Sequence, residues 1–256
     1  MIDFWAKTSG TWVNVATIVI GTMVGLLVRG RLRGSFQKII TQSIGLITLF
    51  ISLNMAQSLT KVKIGFVDGT ILALVLLILG GILGEWWQIP EKLELIGDWL
   101  KDKFNSKFKS GGKFTEGFVS TSLLYCIGPM AILGSVNNGL FGDPSLLNIK
   151  AALDGLISVP FTSTYGVGVG FSALSVLVYQ GTLSLLAGSL TQFLPQQGES
   201  PVLHLVGGLG GIILVGLSFN LLEITQIRIG SYLPALLLAP VVYQICTSLL
   251  VHSPIK

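Results

Sequence analysis

Long apolar runs, broken at short intervals by charged or turn-forming residues, fill this chain from one end to the other. Each run is close to the roughly 20 residues that a helix needs to cross a bilayer. The pattern predicts eight spans, near 11–28, 39–58, 66–86, 117–136, 147–165, 168–190, 202–221 and 232–251. The fold class expected is all-α, a polytopic helical membrane protein forming one membrane domain over 1–256. One polar stretch, 89–113, differs from the rest. In "PEKLELIGDWLKDKFNSKFKSGGK", Leu93, Ile96, Leu100, Phe104 and Phe108 recur every three or four residues opposite lysines and acids. That spacing predicts an amphipathic helix on the cytoplasmic membrane surface, started by Pro90 and ended by "SGGK".

The pattern also repeats. Residues 45–65 align with 211–230 when one gap is allowed. Gly45 then meets Gly211, Ser52 meets Ser218, Asn54 meets Asn220, Lys63 meets Arg228, and Ile64-Gly65 meets Ile229-Gly230. We expect two three-helix units, 11–86 and 168–251, that bracket a central pair over 117–165. With eight spans, the first unit starts from outside and the second from inside, which makes an inverted-topology repeat of the kind that recurs in secondary transporters. Asn54 and Asn220 are either site residues or interhelical hydrogen-bond donors.

Composition agrees with the membrane reading: 51% of residues are hydrophobic, 11% are charged, and the mean hydropathy is +0.77. The net charge of +4 does not point to nucleic acid, because the bases lie in the connections between spans. Eleven of them (Arg29, Arg31, Arg33, Lys38, Lys92, Lys101, Lys103, Lys107, Lys109, Lys113 and Arg228) share one face, against Lys7, Lys61, Lys63 and Lys256 on the other. Positive charge stays inside, so that face is cytoplasmic and both termini lie outside. Trp5, Trp12, Trp86 and Trp87 sit at span ends as headgroup anchors. Cys126 and Cys246 read as membrane-buried thiols. His204 and His252 have no acid or thiol at ligand spacing, so no metal, cofactor or catalytic triad is expected and the chain is not read as an enzyme. "GTMVG", "GGILG" and "VGGLGGIILVG" are small-residue patterns for close helix packing, the last also suited to a homodimer face.

The candidate chemistry lies in the central pair. Gly128-Pro129 falls in the middle of the fourth span, and Pro160 in the fifth is surrounded by Ser158, Thr162, Ser163 and Thr164. Proline removes a backbone donor and disrupts the preceding turn, so two broken helices are expected, as structural kinks or as a solute site. Lys150 and Asp154 stand four residues apart on one helical face and can pair. Lys150 either pairs or reaches the headgroups. An ionisable group in a span is costly, which makes Asp154 the candidate cation or proton site.

The stretches "GEWWQIPEKLELIGDWL", "EGFVSTSLLYCIGPMAILGS" and "GVGVGFSALSVLVYQG", with Lys150 and Asp154 between the last two, resemble the bacterial multi-pass membrane family called domain of unknown function 554 (DUF554). The resemblance spans nearly the whole chain and implies a protein of the bacterial cytoplasmic membrane, but no substrate. One departure is Asn137-Asn138, in what reads as an outer loop, where an acid is expected in relatives. The function expected is secondary transport of a small solute or ion. The alternatives are a non-transporting scaffold or sensor, and an ion channel. Besides that solute the partners expected are the lipid bilayer and a second copy of the chain.

Overall fold

Apolar runs of this length bury their backbone hydrogen bonds within themselves, so helices are the natural result. A computed structural model describes residues 3–29, 34–108, 113–187 and 201–251, and among these it has ten α-helices. Arg31, Arg33, Lys109, His252, Lys256 and the stretch 188–200 of the second repeat unit lie outside the described residues. In chain order the helices are α1 (Phe4–Arg29), α2 (Gly34–Ala56), α3 (Gly69–Trp86), α4 (Ile89–Phe108), α5 (Phe114–Cys126), α6 (Pro129–Phe141), α7 (Ser145–Tyr165), α8 (Gly168–Leu185), α9 (Pro201–Leu221) and α10 (Leu233–Val251). Short 3₁₀ turns, Gln57–Lys61 and Ile229–Tyr232, precede α3 and α10. Among the described residues six helices are long and apolar enough to span a membrane, and the bent pair α5–α6 makes a seventh candidate. With 21 residues α7 is also long enough, but it carries Lys150 and Asp154 and is not among them.

The helices are inverted relative to those of a water-soluble bundle. On α1 the buried residues include Thr8, Thr11, Asn14 and Thr22, while Ile20, Met23 and Leu27 are exposed. The exposed apolar side belongs against lipid, and the polar side must find partners inside.

Close contacts sort the helices into two compact units. The first takes α1, α2 as far as Leu46, and the chain from Lys92 in α4 through α8. Within it, Gly10 meets Leu147, Gly21 meets Gly155 and Ser158, and Gly25 meets Val159 and Thr162, so α1 and α7 run parallel. A Cβ on Gly21 would lie 2.2 Å from the Gly155 carbonyl oxygen, so only glycine permits this approach. α8 runs antiparallel to α1, with Asn14 level with Gln180 and Thr22 level with Gly170. Gly117 meets Tyr165, Tyr125 meets Ser158 and Gly134 meets Leu147, so α5 and α6 together run back along α7.

The second unit holds the rest of α2 from Ile47, then α3, α9 and α10. Gly80 lies against Ala235 and Gly84 against Ser231, which makes α3 and α10 antiparallel; Gly208 lies against Leu59 and Gly211 against Ser52 and Ala56, which does the same for α2 and α9. All three small-residue patterns are therefore used within a unit. Gly208 and Gly211 of α9 thus pack on α2 and the turn that follows it.

The expected break at Gly128-Pro129 is present: α5 stops at Cys126, α6 starts at Pro129, and the two axes are bent by 62°. The expected break at Pro160 is not. α7 continues through Pro160 to Tyr165. A proline costs the helix a single backbone bond, and the close seam with α1, where Gly21 meets Gly155 and Ser158 and Gly25 meets Val159 and Thr162, holds the rod on both sides of it. The amphipathic α4 forms as expected, with a shifted face. Leu100 and Gly97 turn inward and Gly97 packs on Thr115, whereas Ile96 joins Leu95 and Trp99 on the exposed side.

A small hairpin, which the apolar pattern gave no hint of, pairs Lys63–Ile64 with Val67–Asp68 and leads into α3. Asp68 caps that helix, accepting the Thr70 N–H at 2.9 Å. This backbone bond, helped by the Thr70 hydroxyl and the Lys63 charge, holds the carboxyl below its ordinary value of 3.8. A carboxyl depressed in the folded state stabilises fully above its unfolded pKa and loses that contribution as pH falls through the folded value. Thermal unfolding in detergent should therefore show an acid-side decline that is shallower in Asp68→Asn, which keeps the capping oxygen without the titration.

Candidate functional site

The interior of the first unit carries a polar seam beside its apolar clusters, such as that of Ile18, Tyr125, Ala173 and Val176. Along α7, Lys150, Asp154, Ser158 and Thr162 follow one another at four-residue spacing and all four are buried, Lys150 at 7% and Asp154 at 6% exposure. Lys150 Nζ pairs with Asp154 Oδ2. Asn14 of α1 donates its Nδ2 to the same oxygen at 2.9 Å, and this Nδ2 lies 3.4 Å from Gln180 Oε1 on α8. A carboxylate only accepts, so it fixes which end of the Asn14 amide faces it, and Asn14 in turn orients Gln180. Tyr125 of α5 completes the group, with its hydroxyl 2.8 Å from Ser158 Oγ. Because Ser158 spends its one proton on the Asp154 carbonyl, Tyr125 is the donor. The Tyr125 ring also lies under Lys150, with Nζ 5.8 Å from its centroid.

Below this pair Thr17 locks α1 to α7 by donating to the Ala151 carbonyl at 2.8 Å. Toward the start of α1, Asn138 of α6 donates to the Ala6 carbonyl at 2.8 Å and accepts the Gly10 N–H at 2.9 Å. Asn138 is therefore a buried brace within a helix rather than a residue of an outer loop, as the sequence implied.

Seven buried side-chain polar atoms have no hydrogen-bond partner among the described residues: Thr11 Oγ1, Asn14 Oδ1, Thr22 Oγ1, Ser135 Oγ, Thr162 Oγ1, Gln180 Nε2 and Ser184 Oγ. All belong to α1, α6, α7 and α8 of this unit. Folded proteins satisfy nearly all such atoms, with ordered water if not with protein.

The structure brings together Lys150, Asp154, Ser158 and Thr162. Ser163 is buried beside them but bonds within its own helix, as does Pro160 through its carbonyl. The Gly128-Pro129 break follows Tyr125 closely and so borders the site. Asn54 and Asn220 belong to the other unit. Asn54 is exposed and donates to Phe50 of its own helix at 2.8 Å; Asn220 clasps Ile227 through both backbone groups, at 2.8 and 2.7 Å, and so braces the turn after α9. Neither bridges two helices. Sequence reasoning missed Asn14, Tyr125 and Gln180. A signal existed for the two amides, each the lone strongly polar residue in an apolar span, "TWVNVATIVIG" and "SVLVYQG".

Membrane-length helices with apolar outer faces, enclosing a buried ion pair and amide cluster, define a polytopic helical membrane protein. The chain belongs to the family described as "Protein of unknown function (DUF554)", which matches residues 9–244. It is 30% identical over 234 residues to "Uncharacterized membrane protein YdfK" of Bacillus subtilis (strain 168), covering 91% of this chain and 94% of that protein. It is 26% identical over 232 residues to "Uncharacterized protein YqgA" of Escherichia coli (strain K12), covering 90% and 94%. No solved structure matches the chain.

Proposed function

We propose that this protein is a secondary transporter of a small solute or ion in a bacterial cytoplasmic membrane, with eight spans, both termini outside, and its route running between α1, α7 and α8. The observation that carries this reading is the buried polar interior of the first unit: an ion pair, an amide pair and seven partnerless polar atoms on helices that otherwise face lipid. Such groups are expensive in a membrane and belong to pathways for polar cargo.

The arrangement of helices supports an inverted repeat. If α1–α2–α3 corresponds to α8–α9–α10, each helix packs antiparallel to its counterpart: α1 on α8, α2 on α9 and α3 on α10. The matched serines agree in detail. Ser52 and Ser218 are both fully buried, and each donates to the carbonyl three residues back, at 2.8 and 2.7 Å. Counterparts of opposite sense let one central site open to either side in turn.

Reconstitution into liposomes tests the reading. Gradients of alkali cations, short carboxylates and amino acids are imposed in turn, with an internal pH-sensitive dye present. At least one should drive protein-dependent flux that Asp154→Asn abolishes and the exposed Asp143→Asn leaves intact. Flux that is absent throughout, with Asp154→Asn changing only folding, would favour a scaffold.

A further inference from the structure

The charge balance of the buried pair narrows the cargo. Lys150 and Asp154 together are neutral, which is why they can lie on a membrane helix. Both described donors to the carboxylate, Asn14 and Lys150, reach Oδ2, leaving Oδ1 without a described donor. Around Asp154 stand Lys150 on α7, Tyr125 and Cys126 on α5, and the neutral amides Asn14 on α1 and Gln180 on α8, while α6 carries no acidic or basic residue. Tyr179 of α8 lies beyond, next to Cys126.

The partnerless atoms continue to either side of this point. One turn from Asn14 and Gln180 toward the start of α1 stand Thr11 and Ser184; toward its other end α7 leads from Asp154 through Ser158 to Thr162, with Thr22 on α1. Groups one helical turn apart are separated by about 5–6 Å, the span of two hydrogen bonds through one water. A file of waters beside Thr11, Ser184, Asn14 and Gln180 would satisfy these atoms and reach Asp154 from the start of α1.

We propose that Asp154 binds a proton and Lys150 a small monovalent anion, the two arriving together; this rests on the transporter reading above. A hydronium in the file gives its proton to Asp154 Oδ1 and becomes water. The carboxylate becomes a carboxylic acid, its ion pair with Lys150 is lost, and the ammonium, still over the Tyr125 ring, is left to pair with the anion. The empty site and the site holding proton plus anion are both neutral overall, so both can reorient across the membrane. Proton alone or anion alone leaves a net buried charge, which disfavours slippage.

Because the two ligands stabilise each other's binding, the coupling must appear in equilibrium binding. Purified protein in nanodiscs is titrated with radiolabelled formate over a range of pH. Formate affinity should rise as pH falls, by about tenfold per pH unit for one linked proton. Asp154→Asn imitates the protonated acid and should bind formate with no pH dependence; Lys150→Gln should not bind it. Infrared difference spectra should show a protonated-carboxyl band that formate enhances and Asp154→Asn removes. If Asp154→Asn fails to fold, Asp154→Glu should shift the band instead. Formate binding that is independent of pH in the native protein, binding that survives Lys150→Gln, or no binding at any pH would each overturn the proposal. Proton-linked binding without flux in liposomes would instead overturn the transporter reading and leave the linkage standing.

Discussion

Lys150→Met is expected to destabilise the protein by about 3–5 kcal/mol, the cost of leaving one member of a buried ion pair without its partner. Asp154 would keep the Asn14 hydrogen bond but lose the only cation paired with it among the described residues. The loss is a large share of the marginal stability typical of folded proteins. The double variant Lys150→Met with Asp154→Leu should recover most of it, because it removes both charges together and fills the volume with apolar atoms. Thermal unfolding in detergent, followed by circular dichroism, measures both. A Lys150→Met protein as stable as the parent would mean that the pair contributes nothing, and the charge-balance account of the site would fall with it.

Gly21→Ala is expected to disrupt the seam between α1 and α7 by about 1–3 kcal/mol, the range for forcing extra atoms into a filled interior. Its new methyl would sit 2.2 Å from the Gly155 carbonyl oxygen and 2.9 Å from Ser158 Cβ, and backbone cannot rotate away as a side chain can. The two helices must separate, which also stretches Thr17 from Ala151 and Asn14 from Asp154. Gly181→Ala on α8 is the control. A Cβ there meets nothing within 4 Å, so the change should be neutral or gain up to about 1 kcal/mol from better helix propensity. Equal effects from the two substitutions would show that the α1–α7 contact is looser than described.

Much of this architecture is legible in the sequence because a membrane span has one dominant requirement, apolar length, which a single chain displays directly. The break at Gly128-Pro129, the amphipathic α4 and the Lys150–Asp154 pair are local features, fixed by residues within a turn or two of each other. Pro160 was misread because its effect depends on what surrounds it: α1 packs too tightly on that part of α7 for the rod to part. Asn54 and Asn220 look equivalent in the alignment, yet one faces outward and bonds back to Phe50 while the other holds the backbone of Ile227, a difference set by the irregular turn that follows α9. The amides of Asn14 and Gln180 gain their meaning only when helices far apart in the chain are brought side by side. No local pattern encodes that meeting.

The long reach of those contacts bears on how the molecule is made. Asn14 lies 140 residues ahead of Asp154 and 166 ahead of Gln180. When α1 leaves the ribosome and enters the bilayer, neither partner has been synthesised, and Asn14 must be sheltered by water, headgroups or the insertion machinery until the seventh and eighth helices emerge. Biogenesis thus includes a waiting period in which the first helix is only half satisfied.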